Sequence, residues 1–267
     1  VKDKRIRYYR NKETIGVAAN FSKVFRLSST EYFKWAACDD VIAPDFLSKC
    51  IEILDEDRNI VLCHTKTGCI DELGELCGSY DLKIEINSLK YHKLFGELIS
   101  MNNKAWLLIY GLIRSDILRR TQLMGDYIGS DRNLLAELSL FGRFYEISEC
   151  LFFRRKHLQS YTDKMAFRDY AEKLQWWTKT ATSKKTIFPY WKICLEYFYS
   201  VYKMPLSWTE RLQCGVRIIR WLVEEGWFYM GSDIGINLTK LSDKAPIIVE
   251  KLIPLAKWLY RHTIRKR

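Results

Sequence analysis

The 267-residue chain is 48% hydrophobic and 14% aromatic, with nine tryptophans and a formal net charge of +11. That content excludes a largely disordered chain and is enough for one substantial core with a smaller appended unit. The positive balance suits anionic partners, whether nucleotides, nucleic acid or acidic lipid headgroups, without choosing among them.

In chain order, residues 6–9 (Ile-Arg-Tyr-Tyr) read as a short strand and residues 16–27 as a helix, with Ala19, Val24 and Phe25 as its apolar face and Phe21 near the edge. Residues 31–37 read as the next strand, ending at Cys38-Asp39-Asp40. Pro44 falls in the first turn of a helix running through Phe46, Leu47, Cys50, Ile51 and Leu54. Residues 59–64 are a further strand, so the first seventy residues alternate strand and helix, the pattern of an α/β layer. A turn follows around Gly74, then an irregular stretch to Leu89. Residues 91–101 read as helix, 106–113 as a buried strand, 115–120 as a short helix and 131–141 as a helix with Leu134, Leu135, Leu138 and Phe141 in its stripe. Residues 144–147 and 151–155 read as two more short strands.

After about Lys156 the pattern turns helical, with tracts at 167–180, 191–202, 208–221 and 245–260. Trp176, Trp177, Trp191, Trp208, Trp221, Trp227 and Trp258 all lie here. Two readings stand: packing of a helical tail against the α/β body, or an interfacial surface with aromatic and basic side chains at a membrane. Arg261, Arg265, Lys266 and Arg267 form a terminal basic cluster that suits the second reading and equally a solvated end.

The eight cysteines form no CxxC pair and only four histidines accompany them, which argues against structural zinc and for reduced thiols in a cytosolic setting. Asn237-Leu238-Thr239 fits a glycosylation triplet of a kind common by chance. The charged start reads as no signal peptide, and no run is apolar enough for a transmembrane helix. Without an initiator Met, the chain reads as a fragment or a processed product.

Three segments carry candidate chemistry. Asp39 and Asp40 follow a strand, where open sheets bind ligands, and carboxylates there suit a hard divalent cation and its phosphates. The ordinary alternative is a turn residue or helix cap. Strand neighbours point to opposite faces, so Asp39 is assigned the metal or diphosphate side, and Asp40 the loop or a substrate hydroxyl. In Gly129-Ser130-Asp131-Arg132, Ser130 or Asp131 caps the next helix, or Asp131 serves as a general base for an acceptor hydroxyl. Arg154-Arg155-Lys156-His157 is either solvated surface or a phosphate grip, with His157 donating to a leaving diphosphate or ligating metal. His64, His92 and His262 read as ordinary core or surface residues. No dinucleotide, P-loop or nucleophile-elbow motif is present.

Taken as an ordered set, residues 6–11, 16–21, 32–40, 44–47, 111–114, 129–132 and 151–157 resemble the inverting glycosyltransferases of family 2, over about residues 5–160. The resemblance implies a GT-A-like, mostly parallel sheet flanked by helices, lacking the family's usual first strands. A partial transferase domain would span residues 1–157, with a helical extension, residues 158–267, packed on it. It implies inverting transfer of a sugar from a nucleotide sugar, expected to be a UDP-sugar, to a hydroxyl on a glycan or lipid-linked acceptor in bacterial surface polysaccharide synthesis. Asp39 falls on the last, metal-binding carboxylate of the family's DxD motif, for Mg or Mn. Asp131 falls on the catalytic base, with Ser130 where a Glu usually stands. Arg154 and His157 match a basic segment that in relatives lies near the diphosphate and the acceptor side, and Asp40, beside Asp39, is counted with them among the donor-binding residues. Ala37 stands where the first Asp of DxD usually stands. The alternative is a noncatalytic transferase-fold module for assembly or membrane-surface binding. The expected setting is cytoplasmic, peripheral at the inner face of the plasma membrane, with no specific nucleic-acid partner and with room for oligomerisation.

Overall fold

The computed structural model describes residues 3–80, 82, 86–88, 90–100, 104–157, 170–178, 188–231 and 233–234. The helical tract expected at 245–260, the basic terminal cluster, Trp258, His262 and the Asn237 triplet lie outside the described residues.

Helix α1 (Val17–Arg26) starts where Gly16 takes a φ of 82°, a conformation open to glycine. It buries Ala18, Ser22 and Phe25, while Ala19 and Val24 face solvent. The buried face is therefore turned from the expected one, because positions 18, 22 and 25 follow the helical repeat and 19 and 24 fall off it. Residues 6–9 form no strand: Ile6, Tyr8 and Tyr9 are exposed, and no strand lies beside them to complete a ladder among the described residues.

The sheet contains β1 (Tyr32–Phe33), β2 (Val41–Ile42), β3 (Ile60–Ile70), β4 (Leu76–Tyr80), β5 (Leu112–Arg114) and β6 (Arg143–Arg155), in the order β1-β5-β3-β6-β2, with β4 also on β3. Only β3–β6 is a parallel pair among the described residues; β1–β5, β3–β5, β3–β4 and β2–β6 are antiparallel. The expected mostly parallel sheet is thus corrected to a curled, mixed and mainly antiparallel one, with helices at its C-terminal side. The reason lies in the connections. Helix α2 (Phe46–Glu56) joins β2 to β3, yet β6 lies between those strands, so a strand–helix–strand order in sequence does not make a parallel neighbour pair in space. The β3–β4 connection is a short hairpin, which forces antiparallel pairing. At its tip Gly74 has φ 92°, and the Asp71 carboxylate accepts from the backbone N–H of Leu73 and Glu75, both at 2.9 Å.

Strand β3 is the spine. On one face, Phe46, Cys50 and Leu54 of α2 pack on Ile60, Cys63, Leu112, Leu151 and Phe152. On the other, Phe25, Phe33, Trp35, Leu62 and Ile113 meet Leu134 and Leu138 of α5 (Ser130–Ser139) and Phe144 of β6. Each large apolar side chain so buried contributes about 1.5–3 kcal/mol. The expected buried strand at 106–113 is a 3₁₀ turn (Ala105–Tyr110) followed by β5, and the two strands expected at 144–155 are one strand, β6.

Helices α3 (Tyr91–Ile99) and α4 (Ser115–Arg119) precede α5, and α6 (Tyr170–Trp177), α7 (Pro189–Lys203) and α8 (Trp208–Trp221) follow the sheet. Ile193, Tyr197, Cys214, Ile218 and Trp221 of α7 and α8 share one apolar cluster with Phe95 and Ile99 of α3 and with Ala136 of α5. Serine 207 and Glu210 form a reciprocal capping box at the start of α8. The outer side of these helices leaves Tyr199, Tyr202, Trp208, Leu212 and Ile219 exposed. No helix among the described residues is long and apolar enough to cross a membrane.

Arg114 ends β5 almost fully buried, without an acidic partner in its hydrogen bonds. Its Nε donates to the Ile60 carbonyl at 2.8 Å, and its Nη2 donates to the carbonyls of Leu54 and, at 3.2 Å, of Asp57. The cation thus sits at the negative end of α2 and joins it to the start of β3. Replacing Arg114 by Met leaves these carbonyls unsatisfied. The expected loss is roughly 2–4 kcal/mol, read as a lower urea midpoint with unchanged m-value.

Candidate functional site

The loop after β1 returns as β2 against β6, with Val41 opposite Phe153 and Ile42 opposite Phe152. That pairing brings Cys38-Asp39-Asp40 to the C-terminal end of β6, where Arg154, Arg155 and His157 lie. Arg155 closes the junction. Its backbone N–H donates to Asp40 Oδ1 at 3.0 Å and its Nε to the Asp39 carbonyl at 3.0 Å. Its Nη1 donates to the carbonyls of Asp71 at 2.8 Å and Glu72 at 3.2 Å, in the β3–β4 hairpin. His157 Nε2 lies 3.1 Å from Asp39 Oδ2. Arg154 Nη1 donates to the Tyr80 hydroxyl at 2.7 Å, and its guanidinium covers the rings of Trp106 and Tyr80 at 5.1 and 5.6 Å.

Asp131 lies in the first turn of α5, behind Gly129, which has φ 85° and comes so near Ile193 that a Cβ would stand 2.7 Å from its Cδ1. Only glycine fits that approach without strain. Ser130 is fully buried and accepts from the Trp177 indole N–H at 3.2 Å, so a short side chain here makes room for α6. Arg132 points away from Asp131's role, donating to the Ser100 carbonyl at 2.7 Å. Asp131 is half-exposed by surface area, but the protein packed around it desolvates the carboxylate and raises its pKa above the ordinary value; the charge of Arg132 and two backbone N–H groups oppose that shift.

Tyr110 lies at the end of the 3₁₀ turn. Burial raises its phenol pKa, the charges of Asp40, Asp131 and Asp39 add to the rise, and Arg154 opposes it. All four groups therefore act on one ring. Behind Tyr110 is a cavity of about 10 Å³, lined also by His64, Thr67 and Phe152, room for about one water. His64 itself is buried, and desolvation lowers its pKa to about 4, so it is neutral and structural. A surface cleft of about 340 Å³ lies beside Val41, Leu76 and Arg155, and another of about 480 Å³ is formed by Arg10, Lys12, Asn20 and Trp176 among others.

Lys34 and Tyr110 were not singled out as chemistry by the sequence, though Lys34 left a signal: it alternates with buried Phe33 and Trp35 and so points to the α2 face. Its ammonium donates to the carbonyls of Tyr110 and, at 3.3 Å, of Trp35, over the rings of Phe46 at 4.8 Å and Phe152 at 4.9 Å. Desolvation lowers its pKa to about 8, against the favourable charge of Asp40. Burial likewise raises the Asp40 pKa, the N–H of Arg155 lowers it, and the charge of Asp39 raises it further. No group of three or more metal-ligating side chains occurs among the described residues. Asp39 and His157 supply an oxygen and a nitrogen side by side, which fits an ion of the Mg or Mn type that takes its other donors from phosphate and water.

Residues 1–102 match the family described as Glycosyl transferase family 2, a stretch that includes Lys34, Asp39 and Asp40. The chain therefore carries an N-terminal segment of glycosyltransferase family 2 type. No curated protein sequence matches the chain. Among solved structures, the crystal structure of S. aureus TarS 1-349 is similar with a TM-score of 0.49 at 10% identity, covering 82% of this chain and 59% of that one. The chain thus spans less than two thirds of that structure's length.

The buried ammonium gives a pH signature. Lys34 binds its proton less tightly folded, near pH 8, than unfolded, near 10.5, so the unfolded state holds more protons in that window and stability rises with pH across it. Relative to Lys34→Met, the native chain should gain roughly 3 kcal/mol between pH 8 and 10.5, measured by urea unfolding at each pH. A constant difference between the two proteins over that range would refute the burial of a charged amine.

Proposed function

We propose that this chain is a glycosyltransferase that moves a sugar from a nucleoside-diphosphate donor, best suited by a UDP-sugar, to a hydroxyl acceptor with inversion. The observation that carries the reading is the cluster at the C-terminal end of β6, where Asp39 lies 3.1 Å from His157 and Arg155 fastens the Asp39–Asp40 loop beside Arg154. The family match over residues 1–102 supports the same class.

In this reading Asp131 accepts the proton of the attacking hydroxyl. Its raised pKa makes it a stronger base than an ordinary Asp. The hydroxyl oxygen attacks the anomeric carbon as the bond to the diphosphate breaks, which inverts the centre. Arg154 offsets the charge that grows on the departing oxygen, and His157 donates a hydrogen bond to it. A Mg or Mn ion beside Asp39 and His157 would supply further neutralisation of the diphosphate. Asp40, fastened by Arg155, holds the loop, and Lys34 offsets its buried charge. The cleft with Arg10, Lys12, Asn20 and Trp176 offers cations, an amide and an aromatic face to a nucleotide. The exposed aromatic side of α7 and α8 suits peripheral contact with the membrane that carries a lipid-linked acceptor, and bacterial surface glycan synthesis is the setting this favours.

Calorimetry with UDP and Mn tests donor binding: the native chain should bind, and Asp39→Asn should lose affinity by tenfold or more while retaining its circular dichroism. Absence of heat with the folded native chain would remove the transferase reading in favour of a noncatalytic module.

Asp131→Asn should lower turnover by about 10²–10⁴-fold with UDP affinity unchanged. Because its folded pKa is raised, the carboxylate destabilises the fold at neutral pH, and that cost fades as pH falls and the group protonates. The amide should therefore raise the melting temperature at pH 7 and lose this advantage in acid. In the native enzyme the acid limb of kcat/KM should lie above the ordinary Asp range.

A further inference from the structure

Two thiols outside the candidate site meet across the β3–β4 hairpin. Cys77 Sγ lies 2.9 Å from Cys69 Sγ. The register change between Cys69 and Ile70, where Cys69 faces Gly78 and Ile70 faces Leu76, sets Cys77 beside this pair. Cys69 is buried and Cys77 exposed. Gly78, next to Cys77, has open space where a side chain would be, so the short strand has room to shift. A disulfide needs a sulfur separation of about 2.05 Å, a movement of less than about 1 Å from the present one. The other two close thiols, Cys50 and Cys63, are both buried beneath α2, out of reach of an oxidant.

The pair is joined to the candidate site by short links. Cys69 stands opposite Arg154 in the β3–β6 register. Tyr80, which takes the Arg154 hydrogen bond, also interacts with the Cys69 thiol. The hairpin tip two to three residues past Cys69, at Asp71 and Glu72, is held by the same Arg155 that holds Asp39 and Asp40. A bond between the thiols removes the Cys69 partner from Tyr80 and draws β4 toward β3, under both arginines.

We propose that Cys69 and Cys77 form a reversible regulatory disulfide that reshapes the Asp39–Arg155 junction. The oxidant is a low-molecular-weight disulfide of the glutathione type. The exposed Cys77, as thiolate, attacks one glutathione sulfur and releases one glutathione thiolate. Cys69, giving up its proton, then attacks the Cys77 sulfur and releases the second. The protein loses two protons and two electrons, and both electrons reduce the glutathione disulfide to two thiols. Selectivity comes from proximity and not from an acidic thiol: the Cys69 hydrogen bond and burial hold the Cys77 pKa above its ordinary value. The first step is therefore slow at neutral pH and faster as pH rises, while the second is intramolecular and fast.

The test treats the full chain with oxidised glutathione and digests it under thiol-blocking conditions. Trypsin yields one peptide, residues 67–83, holding both cysteines. It should be two hydrogens lighter after treatment, and cleavage at Glu75 should give two fragments that stay joined until reduced. Hydrogen exchange should then change in residues 39–42 and 152–157 of the oxidised chain, and not in Cys77→Ser treated the same way. A stable glutathione adduct left on Cys77, or a bond linking Cys38 or Cys150 instead, overturns the pair. A Cys69–Cys77 bond with unchanged exchange at the junction overturns the coupling. Neither readout requires a substrate, so failure here is distinct from failure of the transferase reading.

Discussion

Arg155 is the constraint on which the candidate site depends. One residue fastens the Asp39–Asp40 loop, the end of β6 and the tip of the β3–β4 hairpin through its backbone N–H and three guanidinium hydrogen bonds. A planar, permanently charged group is suited to this, because it reaches several carbonyls in a fixed fork and stays charged at any physiological pH. Without it the loop would be held by the Asp39–His157 contact and two residues of β2, a ladder too short to fix it. The neighbouring Arg154 extends the arrangement inward to Tyr80 and Trp106, so the two arginines divide the work of joining the site to the sheet and to the hairpin.

Buried charge near the site follows one pattern. Asp40, Asp131 and Lys34 are each shifted toward their neutral forms, and in each case desolvation is the first cause. Such groups cost stability, and a cluster of them marks a candidate functional site. Arg114 shows the contrasting case: it too is buried, yet its hydrogen bonds run to backbone carbonyls at a helix end, where its charge stabilises the fold.

How much of this was legible in the sequence varied with the kind of signal. Helices α2 and α5 were readable because their apolar residues recur at helical spacing, although Leu47 and Ile51 proved exposed on the outer edge of α2. The continuity of β6 was hidden by polar Ser148-Glu149, which the register shows as a bulge, with Thr65 opposite Ile147 and Lys66 opposite Cys150. The apolar run ending at Ile113 has no periodicity that separates a buried strand from a 3₁₀ turn. Gly111 divides it, because a Cβ there would stand 2.9 Å from the Cys63 carbonyl. Strand directions were misjudged because alternation along the chain says nothing of which strand inserts between two others. Asp39, Asp40, Arg154 and His157 were singled out together, and the structure gathers them at the end of β6; Asp131 sits in the first turn of α5.

The central strand β3 has its own kinetic implication. Its hairpin partner β4 is a few residues away, whereas its longest partner, β6, arrives only after some seventy further residues of chain. The local hairpin closes on the microsecond scale, but the parallel edge of β3 must wait for a distant segment to diffuse home. Until it does, an eleven-residue, nearly all-buried strand stands open on one side. Emerging from the ribosome, this polypeptide would spend its most aggregation-sensitive interval there, and chaperone demand should fall once translation passes the end of β6.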